Sequence, residues 1–109
     1  GLIFSLYGLY DLTLVDRNEK YKKALDKAVK SLVMHLGDFD NGYWSMYDIK
    51  GKISSPFYHN LHIAQLEALH LTFGNAQFKE TQEKFESYKN KQINRNRAFI
   101  KKVVQKIAD

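Results

Sequence analysis

Residues 16–37 read DRNEKYKKALDKAVKSLVMHLG, and the spacing within them decides the fold class. Tyr21, Leu25, Ala28, Leu32 and Leu36 recur every three or four residues while Lys20, Lys23, Lys27 and Lys30 take the other faces, the pattern of an amphipathic helix. Asp16 stands where it can cap the helix start, because a side-chain oxygen there accepts from amides that the first turn leaves unpaired. Glu19 follows three residues later, as a capping box requires. Gly37 closes the helix, since it has no Cβ to oppose a left-handed terminal residue.

Upstream, Leu2, Phe4, Leu6, Leu9 and Tyr10 form a dense apolar run that continues to Leu14. That length predicts a buried helix in preference to a strand. Downstream, residues 38–57 lose the helical period. Asp38-Phe39-Asp40-Asn41-Gly42 is turn-forming, and Tyr43–Ile49 with the residues after Gly51 predict two short strands, hence a β-hairpin insert around residues 43–57. Helical spacing returns with Leu61, Leu66, Leu69 and Phe73, closed by Gly74-Asn75. Phe78, Phe85 and Tyr88 mark a further helix, and Ile100, Val103, Val104 and Ile107 a last one, with a break expected within residues 90–96. The expected architecture is all-α with one irregular insert, and the 109 residues are expected to form a single domain.

Apolar residues at 44% and aromatic residues at 14% exceed what a disordered segment carries, so an ordered core is expected. The absence of cysteine excludes disulfides, thiolate metal sites and a Cys nucleophile. No apolar stretch has the length to cross a bilayer, so no spanning helix and a soluble unit are expected. The chain opens Gly1-Leu2-Ile3-Phe4 without an initiator Met, a basic leader or a cleavage site, which leads us to expect further sequence upstream. Residues 89–109 hold seven Lys or Arg against the single acid Asp109, a net +6, so the rest of the chain is close to neutral within the formal charge of +5. Phe99, Val103 and Ile107 share one face of this last helix while Arg95, Lys101, Lys102 and Lys106 lie off it. That pattern predicts a helix docked on the core by its apolar face, with a solvated basic face and no nucleic-acid partner.

The irregular segment and the helix start after it collect Tyr43, Trp44, Tyr47, Tyr58, His59 and His62, and function gathers on loops held by rigid scaffolds. His59 and His62, three apart, can share one side of a helix and face a metal. The zinc motif of paired His with an intervening Glu is absent and no third ligand is evident, so no metal site is predicted and hydrogen bonding or substrate contact is expected. Asp38, Asp40 and Asn41 before Gly42 resemble the start of a calcium loop, but the acid that should close it falls at Ile49; the segment reads as a turn. There is no phosphate-cradling Gly-rich loop, nucleophile elbow or triad.

Three segments stand in a telling order: GLIFSLYGLYDL at 1–12, DNGYWSMYDIK at 40–50 and YHNLHIAQL at 58–66. Together they resemble the carboxyl-terminal catalytic domain of the glucuronyl C5-epimerases, matching that family's S-L-x-G-L-Y-D-L, Y-D-L-R and Y-H-x-x-H-I-x-Q-L blocks with similar lengths between them. The similarity extends over about residues 1–88, and the basic helix at 89–109 is extra to it.

The resemblance implies part of an α/α-barrel and a reaction in which the proton on the ring carbon beside a uronate carboxylate leaves one face and returns on the other, within an anionic polysaccharide. Tyr47 and Tyr58 stand where the family has tyrosines that transfer these protons; no cofactor is implied. A phenol with an ordinary pKa near 10 serves as base only where its anion is stabilised, and the enolate formed beside a carboxylate calls for a positive charge. Lys50 stands at the family's Arg and is the candidate for that charge, though Lys lacks the bidentate fork. His59 and His62 match family histidines and are expected to organise Tyr58 or bind sugar hydroxyls. Asp48 is expected to support or cap, since a carboxylate in the site would repel an anionic substrate. A further family tyrosine falls before Gly1, so the fragment alone is expected to be inactive. Family members act as dimers. The rival reading is a noncatalytic carbohydrate-binding or structural module of the same fold.

Overall fold

The computed structural model describes residues 2–47 and 51–108, with side chains from Leu6 onward. Among these residues the chain is mostly helical, with helices α1 (Leu2–Val15), α2 (Glu19–His35), α3 (Pro56–Phe73), α4 (Ala76–Lys89) and α5 (Gln92–Ala108). It divides into two compact units, one up to His35 and one from Leu36 onward. No helix among the described residues is long and apolar enough to cross a membrane.

In the first unit α1 packs on α2. Leu25, Val29 and Leu32 of α2 are buried, as their spacing of four and three residues requires for one helical face. The cap is one Asx residue later than Asp16: Asn18 Oδ1 accepts from the Lys20 amide (2.9 Å), while Asp16 Oδ1 accepts from the Asn18 amide (3.0 Å). Two short polar side chains compete for one helix start, and the one adjoining Glu19 takes it.

The second unit is built on the antiparallel pair α3 and α4. Ser55 caps α3, its Oγ accepting from the Tyr58 amide (3.3 Å), and Pro56 occupies a first-turn position where its missing N–H costs nothing. Gly74 ends the helix at φ 78°, donating its amide to His70 O (2.8 Å). Ile63, Leu66 and Leu69 of α3 and Phe78 and Phe85 of α4 form buried faces.

The expected β-hairpin insert at 43–57 does not form among the described residues. A 3₁₀ turn at Leu36–Phe39 leads into irregular chain carrying two isolated bridges, Asp40 with Ser45 and Met46 with Ile53. The reason lies in where the backbone groups are satisfied. The Met46 amide donates to Phe39 O (2.7 Å), the Ser45 amide to His59 Nδ1 (3.3 Å) and the Ile53 amide to Gln105 Oε1 (3.0 Å). The Met46–Ile53 bridge keeps Tyr47 N–H to Lys52 O and Ser54 N–H to Ser45 O. The groups that would complete the next pair are taken elsewhere, the Ser45 amide by His59 of α3 and the Ser54 carbonyl by the Trp44 indole, while the outward Met46 and Ile53 amides go to the turn and to α5. The turn reading of 38–42 agrees with the structure: Asp40 Oδ1 accepts from the Gly42 amide and Asn41 Oδ1 from those of Tyr43 and Trp44, with Gly42 at φ 96°.

Helix α5 corrects another expectation. It docks through Asn94 and Ala98, Ala98 joining a cluster with Trp44 and Ile53, and it sends Gln105 Nε2 to Gly51 O (2.8 Å) and Lys102 Nζ to Ile53 O (3.0 Å). Phe99 and Ile107, expected on the docked face, are 71% and 80% exposed. The irregular segment needs donors and acceptors more than apolar cover, and the side of α5 bearing Gln105, Lys102 and the small Ala98 supplies them at close approach.

This orientation predicts unequal effects at adjacent residues. Ala98→Glu, placing an unpaired charge in the Trp44 cluster, should cost about 3 kcal/mol or more in urea denaturation. Phe99→Glu should change stability by no more than about 0.5 kcal/mol. The reverse ranking would show that α5 docks by its apolar face.

Candidate functional site

The irregular segment is fixed to the α3–α4 pair chiefly by one imidazole. His59 lies in the first turns of α3 and is fully buried. Its Nε2 lies 2.8 Å from Phe85 O on α4, and its Nδ1 lies 2.7 Å from Ser45 Oγ. The Trp44 indole stacks on it, centroids 3.9 Å apart and planes 15° from parallel, and donates Nε1–H to Ser54 O (2.9 Å). Both edges and one face of the ring are thus occupied by protein. His62, one turn further along α3 and half-buried, places its Nδ1 3.2 Å from the same Ser45 Oγ.

Electrostatics follow from this burial. Desolvation lowers the His59 pKa from 6.5, a hydrogen bond to the Phe85 carbonyl opposes the shift, and the nearby His62 and Lys89 add to it. His62 is lowered as well, by burial. Tyr88 moves the other way, its phenol pushed up to about 12 by desolvation and by the Asp40 carboxylate that accepts its proton at 2.9 Å. Asp40 also faces Lys84 Nζ at 3.7 Å, so the turn before Trp44 is tied to α4 by a charge-assisted contact.

In front of this anchored layer the structure brings Tyr47 and Tyr58 together. Their rings meet edge to face, centroids 5.0 Å apart and planes 78° apart, and the residues are 49% and 39% exposed. Phe57 adds a third exposed ring, 5.5 Å from Tyr58. The Tyr47 amide donates to Lys52 O (2.6 Å), which fixes its backbone against the other arm of the segment. Of the remaining expected residues, His59 is behind the surface with both nitrogens engaged, and His62 lies between the buried layer and solvent. Lys50 and Asp48 lie outside the described residues.

Sequence reasoning passed over Ser45, the junction between the two histidines, and Trp44 as the ring that stacks on His59. A serine between Trp44 and Met46 carries no periodic or motif signal. The Phe85 carbonyl is a backbone group, and no side-chain pattern marks it.

Comparison with known families decides the relationship. The model of the family described as D-glucuronyl C5-epimerase C-terminus matches residues 1–87. The chain belongs to that family. The match takes in the Tyr47–Tyr58 patch and the whole His59 layer, and it ends before α5 begins at Gln92. No curated protein sequence and no solved structure matches the chain.

The depressed imidazoles give a prediction with a defined sign. Both side chains favour the neutral form in the fold, so below pH 6.5 the unfolded chain binds more protons than the folded one. Stability from this source is complete above that value and is lost as pH falls below it toward the folded pKa values. The Tm should therefore drop between about pH 7.5 and about pH 5, and His62→Gln should remove part of that slope. A Tm that rises on acidification would contradict the buried neutral pair.

Proposed function

We propose that this chain contributes to the active site of a uronate C5-epimerase acting within an anionic polysaccharide, as part of the α/α-barrel that its family resemblance implies. The observation that carries this reading is the Tyr47–Tyr58 pair, two exposed phenols, one from the irregular segment and one from the start of α3, held edge to face at 5.0 Å within the family-matched segment. Inversion at a ring carbon needs one group to take a proton and another to return one. Two phenols at one patch supply that pair of groups.

In this reading one tyrosine removes the proton beside the carboxylate, electron density moves into the carboxylate as an enolate, and the other tyrosine delivers a proton to the opposite face. Lys50 is assigned to the carboxylate, where a positive charge stabilises the enolate more than the ground state. The formal charge of +5 favours approach of a polyanion. His59, with no ring nitrogen to spare, acts from behind by fixing the segment that carries Tyr47, and His62 flanks the patch.

A second reading has support from Phe57. With Tyr47 and Tyr58 it makes a run of three exposed aromatic rings in contact. Such a surface stacks on sugar rings without chemistry and suits a noncatalytic carbohydrate-binding module.

The test uses the full natural polypeptide with a uronate polymer in deuterated water. Tyr47→Phe and Tyr58→Phe should each lower deuterium incorporation at the uronate C5 by about 10²-fold or more while polymer binding is kept, because each removes a proton-transfer group but not the ring. Polymer binding by wild-type protein with no exchange at that carbon would favour the binding module.

A further inference from the structure

The hydrogen bonds around Ser45 fix more than the position of the chain; they fix protons. The Phe85 carbonyl can only accept, so His59 Nε2, 2.8 Å away, must carry a hydrogen and donate it. Burial keeps His59 neutral, so its Nδ1 holds a lone pair. Ser45 Oγ at 2.7 Å must then turn its hydroxyl hydrogen toward Nδ1, since two lone pairs at that distance would repel. With its single hydrogen committed, Ser45 Oγ meets His62 Nδ1 at 3.2 Å as an acceptor. His62 Nδ1 therefore carries the hydrogen, and its Nε2 is left bare, with no hydrogen bond among the described residues. An unconstrained neutral imidazole in water favours the opposite form, with hydrogen on Nε2.

We propose that Ser45 is a positioning residue that relays the tautomer of His59 to His62, so that His62 presents an unprotonated Nε2 as proton acceptor to Tyr58, one helical turn away on α3. Residues four apart on a helix are surface neighbours; His62 is half-buried with Nδ1 on the buried Ser45, and Tyr58 is exposed. This inference rests on the epimerase reading for its chemical consequence, but not for the tautomer.

The step balances with no reagent beyond solvent water. As the Tyr58 oxygen takes hydrogen from the sugar carbon, the C–H electron pair passes into the enolate and the original Tyr58 hydroxyl hydrogen passes to His62 Nε2. Tyr47 then delivers its own hydroxyl hydrogen to the opposite face, where the enolate electron pair forms the new C–H bond, and the proton held on His62 passes through solvent water to the Tyr47 phenolate, which restores both groups. The relay lets Tyr58 act as a base without standing ionised beforehand. It also gives the buried layer a use beyond support: a backbone carbonyl on α4 sets which nitrogen of a side chain at the site is basic.

Nitrogen-15 NMR of the histidines tests the relay directly, because protonated and bare ring nitrogens resonate far apart. In the wild-type chain above pH 7, His62 should show a bare Nε2 and a protonated Nδ1. Ser45→Ala should shift His62 toward the Nε2–H form, and Ser45→Thr, which keeps the hydroxyl, should restore the wild-type pattern. Folding of each variant is read from the Phe78 and Leu69 signals of the α3–α4 core. A wild-type His62 with hydrogen on Nε2, or a Ser45→Ala variant that folds with an unchanged tautomer, would overturn the relay.

In the full natural polypeptide with a uronate polymer, Ser45→Ala should lower C5 exchange on the order of tenfold through the reduced competent fraction, with unchanged polymer affinity and recovery in Ser45→Thr. A tautomer that shifts without any change in exchange rate would overturn the link to Tyr58. Wild-type protein that shows the expected tautomer but no exchange would overturn the epimerase reading, and with it that link, while leaving the tautomer relay standing.

Discussion

A fully buried imidazole cannot leave either nitrogen unpaired without losing the hydrogen bonds that water would give it. At His59 this constraint is met by groups from two separate stretches of chain, Ser45 in the irregular segment and the Phe85 carbonyl on α4. The side chain thereby joins three parts of the second unit around one ring, and the Trp44 indole covers its face. Truncating His59 would leave the Phe85 carbonyl and the Trp44 indole face without this partner and the Ser45 hydroxyl with His62 alone. The position of Tyr47, two residues beyond Ser45, depends on that joint.

The rest of the irregular segment is held in the same manner, by side chains that reach into its backbone. Gln105 and Lys102 of α5 take the Gly51 and Ile53 polar groups, Tyr88 and Lys84 of α4 hold Asp40, and Arg97 of α5 lies over the Tyr43 ring at 4.0 Å. These contacts supplement the short stretch of cross-arm pairing at Met46 and Ile53, which is all the ladder found among the described residues of the segment's two arms. An irregular segment satisfied this way can aim Tyr47 at Tyr58, whereas the alternation of a regular strand would fix the ring's direction by register alone. The cost is dependence on distant helices: α5 lies outside the family-matched residues, yet it carries Gln105, Lys102 and Arg97, three of the side chains that steady this segment.

Periodic elements were legible in the sequence because their signals are local. The α2 face shows in Leu25 and Leu32, and the end of α3 shows in Gly74. What failed depended on partners far along the chain. The alternation around Gly51 does suggest two strands, but nothing within 43–57 announces that His59 will claim the Ser45 amide. In α5 the spacing of Phe99, Val103 and Ile107 reveals an apolar face without revealing what it meets, and the docked side proved to be that of Asn94 and Ala98. The Tyr47–Tyr58 pairing was legible only through resemblance to a family, since eleven positions separate the residues and no spacing rule joins them. Ser45 was invisible to either route, because its importance lies in two imidazoles sharing one small hydroxyl.

Through Ser45 and Trp44, His59 holds the Tyr47-bearing segment onto the α3–α4 pair. Amide hydrogen exchange of wild-type protein and a His59→Asn variant tests it most directly. Protection at Ser45, Tyr47 and Ser54, whose amides are bonded within this layer, should fall sharply in the variant while Leu66, Leu69 and Phe78 of the core stay protected. Equal protection at Ser45, Tyr47 and Ser54 in both proteins would contradict the claim.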